Sequence, residues 1–492
     1  MKDKADHGAP RDPVTDTSDL IRPSSRATRV RYKVMALLCV LAFLTYFDRV
    51  CIVRAQLVMQ RDLHISDAQM GLILGAFWLA YALFEIPGGF LGDRYGARGT
   101  LTRIVLAWSL FTALSGSATG FLSLLAYRFL FGAGEAGAFP NMARIQAAWL
   151  PARSRARAGG FLWMMARWGG AFSPIIFGHM MRGFESPGFH NAVTGTPLEH
   201  VAPWRLGFWM SGLLGSVWVI AFWFWFRDNP ADKRSVNAAE LVLIREGRSS
   251  SELPGSHRPA PGVIRAVFSS GTLWLIAMVY VCGSFGWSFF VSWMPRFLKD
   301  VHGVTFEKSE WMNVLPMFFG GIACLLGGSL SDWLVKATGR KRLFRAVFPL
   351  CGDLTAACAM LGIRFVKSPE HATILLCVAS AAHDFGQAVN WATIVDVGGR
   401  FAGTAFGFIN MVGNFGNTAQ PYVGQLIFNH LGWNALFLTY AAFFATASSM
   451  WLFIDPNRRF YPEPEHPPEP PDQGFEAPLT AGTAAAATAT SR

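Results

Sequence analysis

Long apolar runs separated by short basic turns set the pattern of this chain. A helix needs about 20 mostly apolar residues to cross a bilayer. Twelve runs meet that need: 33–54, 70–91, 99–118, 120–143, 158–181, 206–226, 270–295, 312–335, 343–363, 372–393, 401–427 and 433–454. The expected fold class is therefore an all-α polytopic membrane protein with twelve transmembrane helices. Segment 227–269 is the one long internal loop, and it divides the spans into two six-helix bundles, 33–226 and 270–455. Residues 1–32 and 456–492 are polar, Pro-rich or Ala/Thr-rich and read as disordered tails. Residues 1–32 have no apolar core, so no cleavable signal peptide is expected.

Composition agrees with this reading. Hydrophobic residues make up 52% of the 492 and charged residues 15%, where a soluble domain is nearer 25% charged. The net charge of +11 would suit nucleic acid if it were clustered. Its placement indicates topology instead. With the N-terminus in the cytoplasm, the even-numbered turns and adjoining helix ends hold 19 Lys and Arg and the odd-numbered ones 8. That is the positive-inside asymmetry. The expected location is the inner cell membrane, multi-pass, with both termini cytoplasmic and no nucleic-acid partner. Seven cysteines lie in apolar stretches without metal-ligand spacing, so neither a metal nor a cofactor is expected.

Five arginines fall outside the topological pattern: Arg49, Arg54, Arg128, Arg144 and Arg167. Arg54 and Arg144 lie near helix ends and can snorkel. The other three are deep, where a charge costs several kcal/mol unless it faces water or another charge.

The two halves repeat. Gly89-Phe-Leu-Gly-Asp93-Arg94-Tyr-Gly96-Ala-Arg98 follows span two, and Gly328-Ser-Leu-Ser-Asp332, then Gly339-Arg340-Lys341-Arg342, follows span eight. Parallel six-span repeats around a midplane site are the architecture of major facilitator transporters, and the first copy resembles that superfamily's signature between spans two and three. A finer resemblance lies in Tyr46-Phe-Asp48-Arg49, in Tyr81 with Ile86-Pro87-Gly88-Gly89, and in Arg128-Phe-Leu-Phe-Gly-Ala-Gly-Glu135-Ala-Gly-Ala-Phe-Pro140. These are similar to the anion:cation symporter branch. It includes bacterial transporters of hexuronates, aldonates, aldarates and phthalate, and animal vesicular glutamate and sialic-acid carriers. The resemblance covers roughly residues 30–455.

The resemblance implies that Asp48, Arg49, Arg128 and Glu135 form the coupling and anion site, with Tyr46 and Tyr81 beside it. It also implies that Asn410 or Asn414 supplies a polar contact from span eleven. Galactonate-type members place a glutamine in span five where this chain has Ala166, followed by Arg167. The family's sugar-acid contacts do not carry over at that position.

The residues support the same chemistry. Arg128 and Glu135 are two helical turns apart and share a face. A guanidinium suits a carboxylate bidentately and stays charged at any physiological pH. Desolvation favours the neutral form of a carboxyl group, so a buried acid can take up and release a proton. A fixed cation and a titratable acid are what an anion–proton symporter needs; the alternative is a structural ion network. Arg167 is open to two readings: it engages a second substrate carboxylate, or it balances Glu135 or Asp384. His383-Asp384, mid-span ten, is either a neutralising or proton-carrying site or a helix-packing pair. Trp391 is placed to stack a sugar ring. Glu85 and Asp353 read as partners of neighbouring helices. Asp93, Arg94, Arg98 and Asp332 are expected at the cytoplasmic gate.

Three other classes fit the residues less well. No metal triad, nucleophile elbow or phosphate loop supports an enzyme. A titratable site between two repeats suits alternating access better than a channel. A proton-antiport drug exporter is the runner-up, against which three buried arginines argue for an anion. The expectation is a monomeric carrier in the lipid bilayer, taking up a small organic anion (a sugar acid, or an aromatic or aliphatic carboxylate) with the proton as coupling ion.

Overall fold

The computed structural model describes residues 26–185, 202–246, 262–304 and 306–461. Most of both expected tails and the middle of the 227–269 loop lie outside these residues. Among the described residues every regular element is helical. The helices are α1 (Val30–Asp62), α2 (Asp67–Tyr95), α3 (Ala97–Ser115), α4 (Phe121–Glu135), α5 (Ala138–Trp149), α6 (Arg155–Glu185) and α7 (Pro203–Trp225) in the first half. The short helices α8 (Ala238–Arg245) and α9 (Val263–Ser269) lie between the halves. The second half has α10 (Gly271–Ser292), α11 (Met294–His302), α12 (Phe306–Thr338), α13 (Lys341–Ile363), α14 (Pro369–Gly398) and α15 (Ala402–Met450).

Twelve spans emerge once two irregularities are read. Span four is broken: α4 stops at Glu135, Gly137 turns at φ +84°, and α5 resumes at Ala138. The break is set by packing, since a Cβ on Gly137 would lie 2.6 Å from the Cα of Gly88 in α2. Conversely, α15 holds two spans, divided at Gly432 with φ +72°. Large apolar side chains face outward all round, among them Leu72, Leu110, Ile220, Phe224, Leu354 and Leu426. Such a surface is out of place in water and is what a bilayer covers.

The described residues begin and stop at one end of the molecule, here called the tail end. Order there extends further than the composition predicts. Val30 and Arg31 donate their backbone N–H groups to Glu240 of α8 at 3.1 and 3.0 Å. A linker carboxylate thus caps α1, where the helix dipole favours negative charge, and residues 30–32 are helical rather than part of a disordered tail. Phe460 donates to the Val397 carbonyl at 3.3 Å and closes the other terminus.

The two bundles touch closely at the tail end. A Cβ on Gly89 would lie 2.4 Å from the Gly403 carbonyl oxygen, so α2 and α15 meet backbone to backbone. The repeated Asp93 and Asp332 act alike. Asp93 accepts from the N–H (2.7 Å) and hydroxyl (2.6 Å) of Thr404 at the start of α15. Asp332 accepts from the N–H of Arg157 at the start of α6, at 2.7 Å. Each bundle therefore caps a helix of the other with an aspartate. Arg155 and Asp396 join the bundles again at 2.8 Å, with Lys341 on the same carboxylate at 2.9 Å.

Candidate functional site

A cavity lies between the bundles, above this closed end. Tyr46 and Arg49 of α1, Tyr81 of α2 and Arg167 of α6 line one side. Tyr280 and Trp287 of α10, Gln387 of α14, and Asn410, Asn414 and Asn417 of α15 line the other. The space open to water is about 50 Å³, room for a few waters.

Two arginines face this space, and each is held by a carboxylate from behind. Arg49 donates from Nε to Glu135 Oε1 at 2.6 Å. Its guanidinium stacks over Tyr81 at 4.3 Å and Tyr46 at 5.0 Å. Glu135 is the last residue of α4, where the helix dipole disfavours a negative charge; Arg49 compensates. Oε2 of Glu135 and one terminal nitrogen of Arg49 are buried with no hydrogen-bond partner among the described residues.

Arg167 engages Asp384 with a fork. Nε lies 3.1 and 2.9 Å from the two carboxylate oxygens, and a terminal nitrogen lies 2.6 Å from Oδ1. The pair spans the two bundles, is buried, and is flanked by Trp287 at 4.5 Å from the guanidinium carbon. Removing either partner would leave a buried charge, a loss of about 3–5 kcal/mol. Of the two readings open for Arg167, the structure shows the pairing with Asp384, while the residue still lines the cavity.

Two residues expected at a ligand lie away from the cavity. Arg128 is buried behind Phe77 and Phe131, with its guanidinium carbon 5.2 and 4.5 Å from their ring centres. It lies within electrostatic range of Asp48 and Glu135. Both carboxylate oxygens of Asp48 and Nε of Arg128 lack a hydrogen-bond partner among the described residues. Arg128 thus faces its own bundle, against α2 and α4. Trp391 is fully buried toward the tail end, its indole N–H donating to Gln146 at 2.7 Å. It packs edge-on against Trp163 and Phe139, which line the cavity, and so sits under the floor.

An amide ladder forms the opposite wall. Asn410 donates to Glu85 Oε1 at 2.6 Å and to Tyr81 at 3.3 Å, which gives Glu85 its partner across the bundles. Asn417 donates to Asn414 at 3.0 Å, and Asn414 to the Asn410 carbonyl at 2.8 Å. Sequence reasoning named Asn410 and Asn414 and missed Asn417, although the three share one helical face. It also missed Tyr280, Ser284, Trp287 and Gln387, which nothing in the pattern distinguishes from core residues.

The expected gate residues divide. Asp93 and Asp332 take part in the tail-end contacts, Asp93 with Arg144 at 3.0 Å and Asp332 with Arg345 at 3.2 Å. Arg94 lies over Tyr95, and Arg98 binds the Trp223 carbonyl and, through its N–H, Asp228. Neither reaches Asp93. Arg155 and Asp396, which do cross between the bundles, were not singled out.

The family model described as the Major Facilitator Superfamily matches residues 38–421. A protein described as a probable sulfoacetate transporter of Cupriavidus necator is 29% identical, the match covering 87% of this chain and 94% of that one. A probable galactarate/D-glucarate transporter of Bacillus subtilis is 27% identical over 89% of this chain and 95% of its own. Among solved structures, the fucose:proton symporter of E. coli superposes with a TM-score of 0.63 at 16% identity, covering 86% of this chain and 99% of the other.

Proposed function

The chain belongs to the Major Facilitator Superfamily, which makes it a membrane transporter and not an enzyme, and from that premise we propose that it carries small organic anions together with protons by alternating access. One observation supports this most: both guanidiniums facing the cavity are already held by a carboxylate. A substrate carboxylate would compete with Glu135 for Arg49 and with Asp384 for Arg167. A buried carboxylate that loses its cation cannot remain charged at acceptable cost. It takes a proton, so anion binding and proton binding are linked.

The relatives' names are those of acid transporters, which accords with fixed guanidiniums rather than acidic residues as the recognition element. In this reading the tail end is cytoplasmic, by its basic turns. The Arg155–Asp396, Asp93–Thr404 and Asp332–Arg157 contacts then describe a carrier closed toward the cytoplasm. Loading occurs from the other side. Parting of the tail-end contacts releases the anion inward.

A thermal-shift screen of purified protein tests the substrate class. Small acids such as sulfoacetate and D-glucarate should stabilise the fold at millimolar concentration, and neutral sugars and organic cations should not. Stabilisation by cations alone would overturn the reading in favour of an exporter.

A further inference from the structure

Behind the second-half wall of the cavity lies a buried dyad with no part in either arginine pair. His383 of α14 and Asp353 of α13 meet through Nδ1 and Oδ1 at 2.6 Å, each about 5% exposed at the side chain. The other ring nitrogen, Nε2, lies 3.2 Å from the Gln387 side-chain nitrogen. Gln387 lines the cavity, and its oxygen accepts from Asn390 at 3.3 Å.

These contacts fit one protonation state of the ring. An amide N–H can point at Nε2 only if that nitrogen is bare. The ring is then neutral, and its one proton sits on Nδ1, donated to Asp353. With Asp353 ionised, the dyad as a whole carries one negative charge. The groups facing it are few. Asp384 on α14 is committed to Arg167 of α6. Cys282 of α10 lies within electrostatic range of Asp353, Gly283 packs against the imidazole, and the Phe444 ring of α15 lies tilted against it at 5.1 Å. On α12, Gly320 and Cys324 adjoin Asp384 and bring no further charge. A second proton on Nε2 would neutralise the dyad in place.

That proton cannot be added without turning the amide, because Nε2–H needs an acceptor where Gln387 now offers a donor. Gln387 must present its oxygen to the ring and its nitrogen to Asn390. Asn390 can answer, since its own oxygen is buried and unpartnered among the described residues. When both amides turn, the orphaned acceptor is satisfied.

We propose that His383 and Asp353 form a second proton site in the second bundle, and that Gln387 and Asn390 turn over with its proton and report it to the cavity. The site deepens the proton-coupled reading above and makes the second bundle, as well as Glu135, responsive to pH. Loaded, the dyad holds an imidazolium one residue from Asp384 and adds positive charge behind the wall that an anion touches. By reciprocity, a bound anion favours the loaded dyad.

The test is nitrogen-15 NMR of the full chain in detergent, labelled at histidine or at glutamine side chains. Loss of a signal in His383→Asn or His383→Gln, whichever stays monodisperse, assigns the ring, and Gln387→Leu assigns the amide. Between pH 8 and pH 5, Nε2 of His383 should pass from a bare to a protonated shift while Nδ1 stays protonated. The Gln387 amide should move with the same midpoint. Both should persist in Glu135→Gln, so failure of the first-bundle coupling would leave this site standing. A ring fixed in one state across that range, or a Gln387 amide that ignores its titration, would overturn the proposal.

Discussion

A guanidinium that touches a carboxylate on one side and water on the other can exchange partners, while one sealed behind aromatic rings cannot. That difference separates Arg49 from Arg128, though both are deep arginines in the sequence. Arg49→Lys keeps the charge and loses the fork, and should weaken anion binding by about 1.5–3 kcal/mol, roughly ten- to 150-fold. Arg128→Lys should leave affinity within about threefold, because Arg128 does not line the cavity. Titration calorimetry with the acid found in the stabilisation screen measures both, and the reverse order would return Arg128 to the ligand. Glu135→Gln, which mimics a permanently protonated acid, should abolish gradient-driven accumulation while keeping exchange of anion for anion. Normal concentration of substrate by that variant would move the proton to Asp48, Asp384 or the His383–Asp353 dyad. The site's charges were legible because an ionised residue in an apolar run is costly and conspicuous. Their pairings were not, because depth along a helix says nothing about rotation around it. Arg167–Asp384 joins residues 217 positions apart, and only the packed fold selects it from the pairings that matched depth allows.

At the scale of elements, the break in span four is what sets Glu135 in place. Gly137 has φ +84°, and its Cα lies against Gly88. An alanine there incurs about 1–2 kcal/mol of left-handed strain besides the contact with α2. Gly137→Ala should lower the melting temperature by at least roughly 1 °C and weaken anion binding as well, since α4 and α5 can no longer meet at that angle. An unchanged melt would show that the break is not needed. The twelve apolar runs gave the spans directly, because length and hydropathy are properties of single segments. The break, and the capping of α1 by Glu240, were hidden because each depends on a partner distant in sequence. The Gly-x-Leu-x-Asp repeat is intermediate. It marked Asp93 and Asp332 as related, but not that each caps a helix of the opposite bundle.

For the whole molecule, tail-end contacts and cavity are two ends of one mechanism. Asp396 holds Arg155 of the other bundle together with Lys341. Asp396→Asn removes the carboxylate charge from that contact between the bundles. It should shift the population toward a state open at the tail end, read as a longer mean distance between spin labels on the exposed positions Arg153 and Lys336. Unchanged distances would place the closing force in the Asp93 and Asp332 caps. The account's central claim is that anion and proton move together. The most direct measurement is proton flux in proteoliposomes with no imposed gradient, using a dye trapped inside. Adding the acid outside should acidify the interior as the acid enters, and an inward proton gradient should drive its accumulation until a protonophore collapses it. Entry of the acid without proton movement, or accumulation that follows a sodium gradient and ignores the protonophore, would contradict the account.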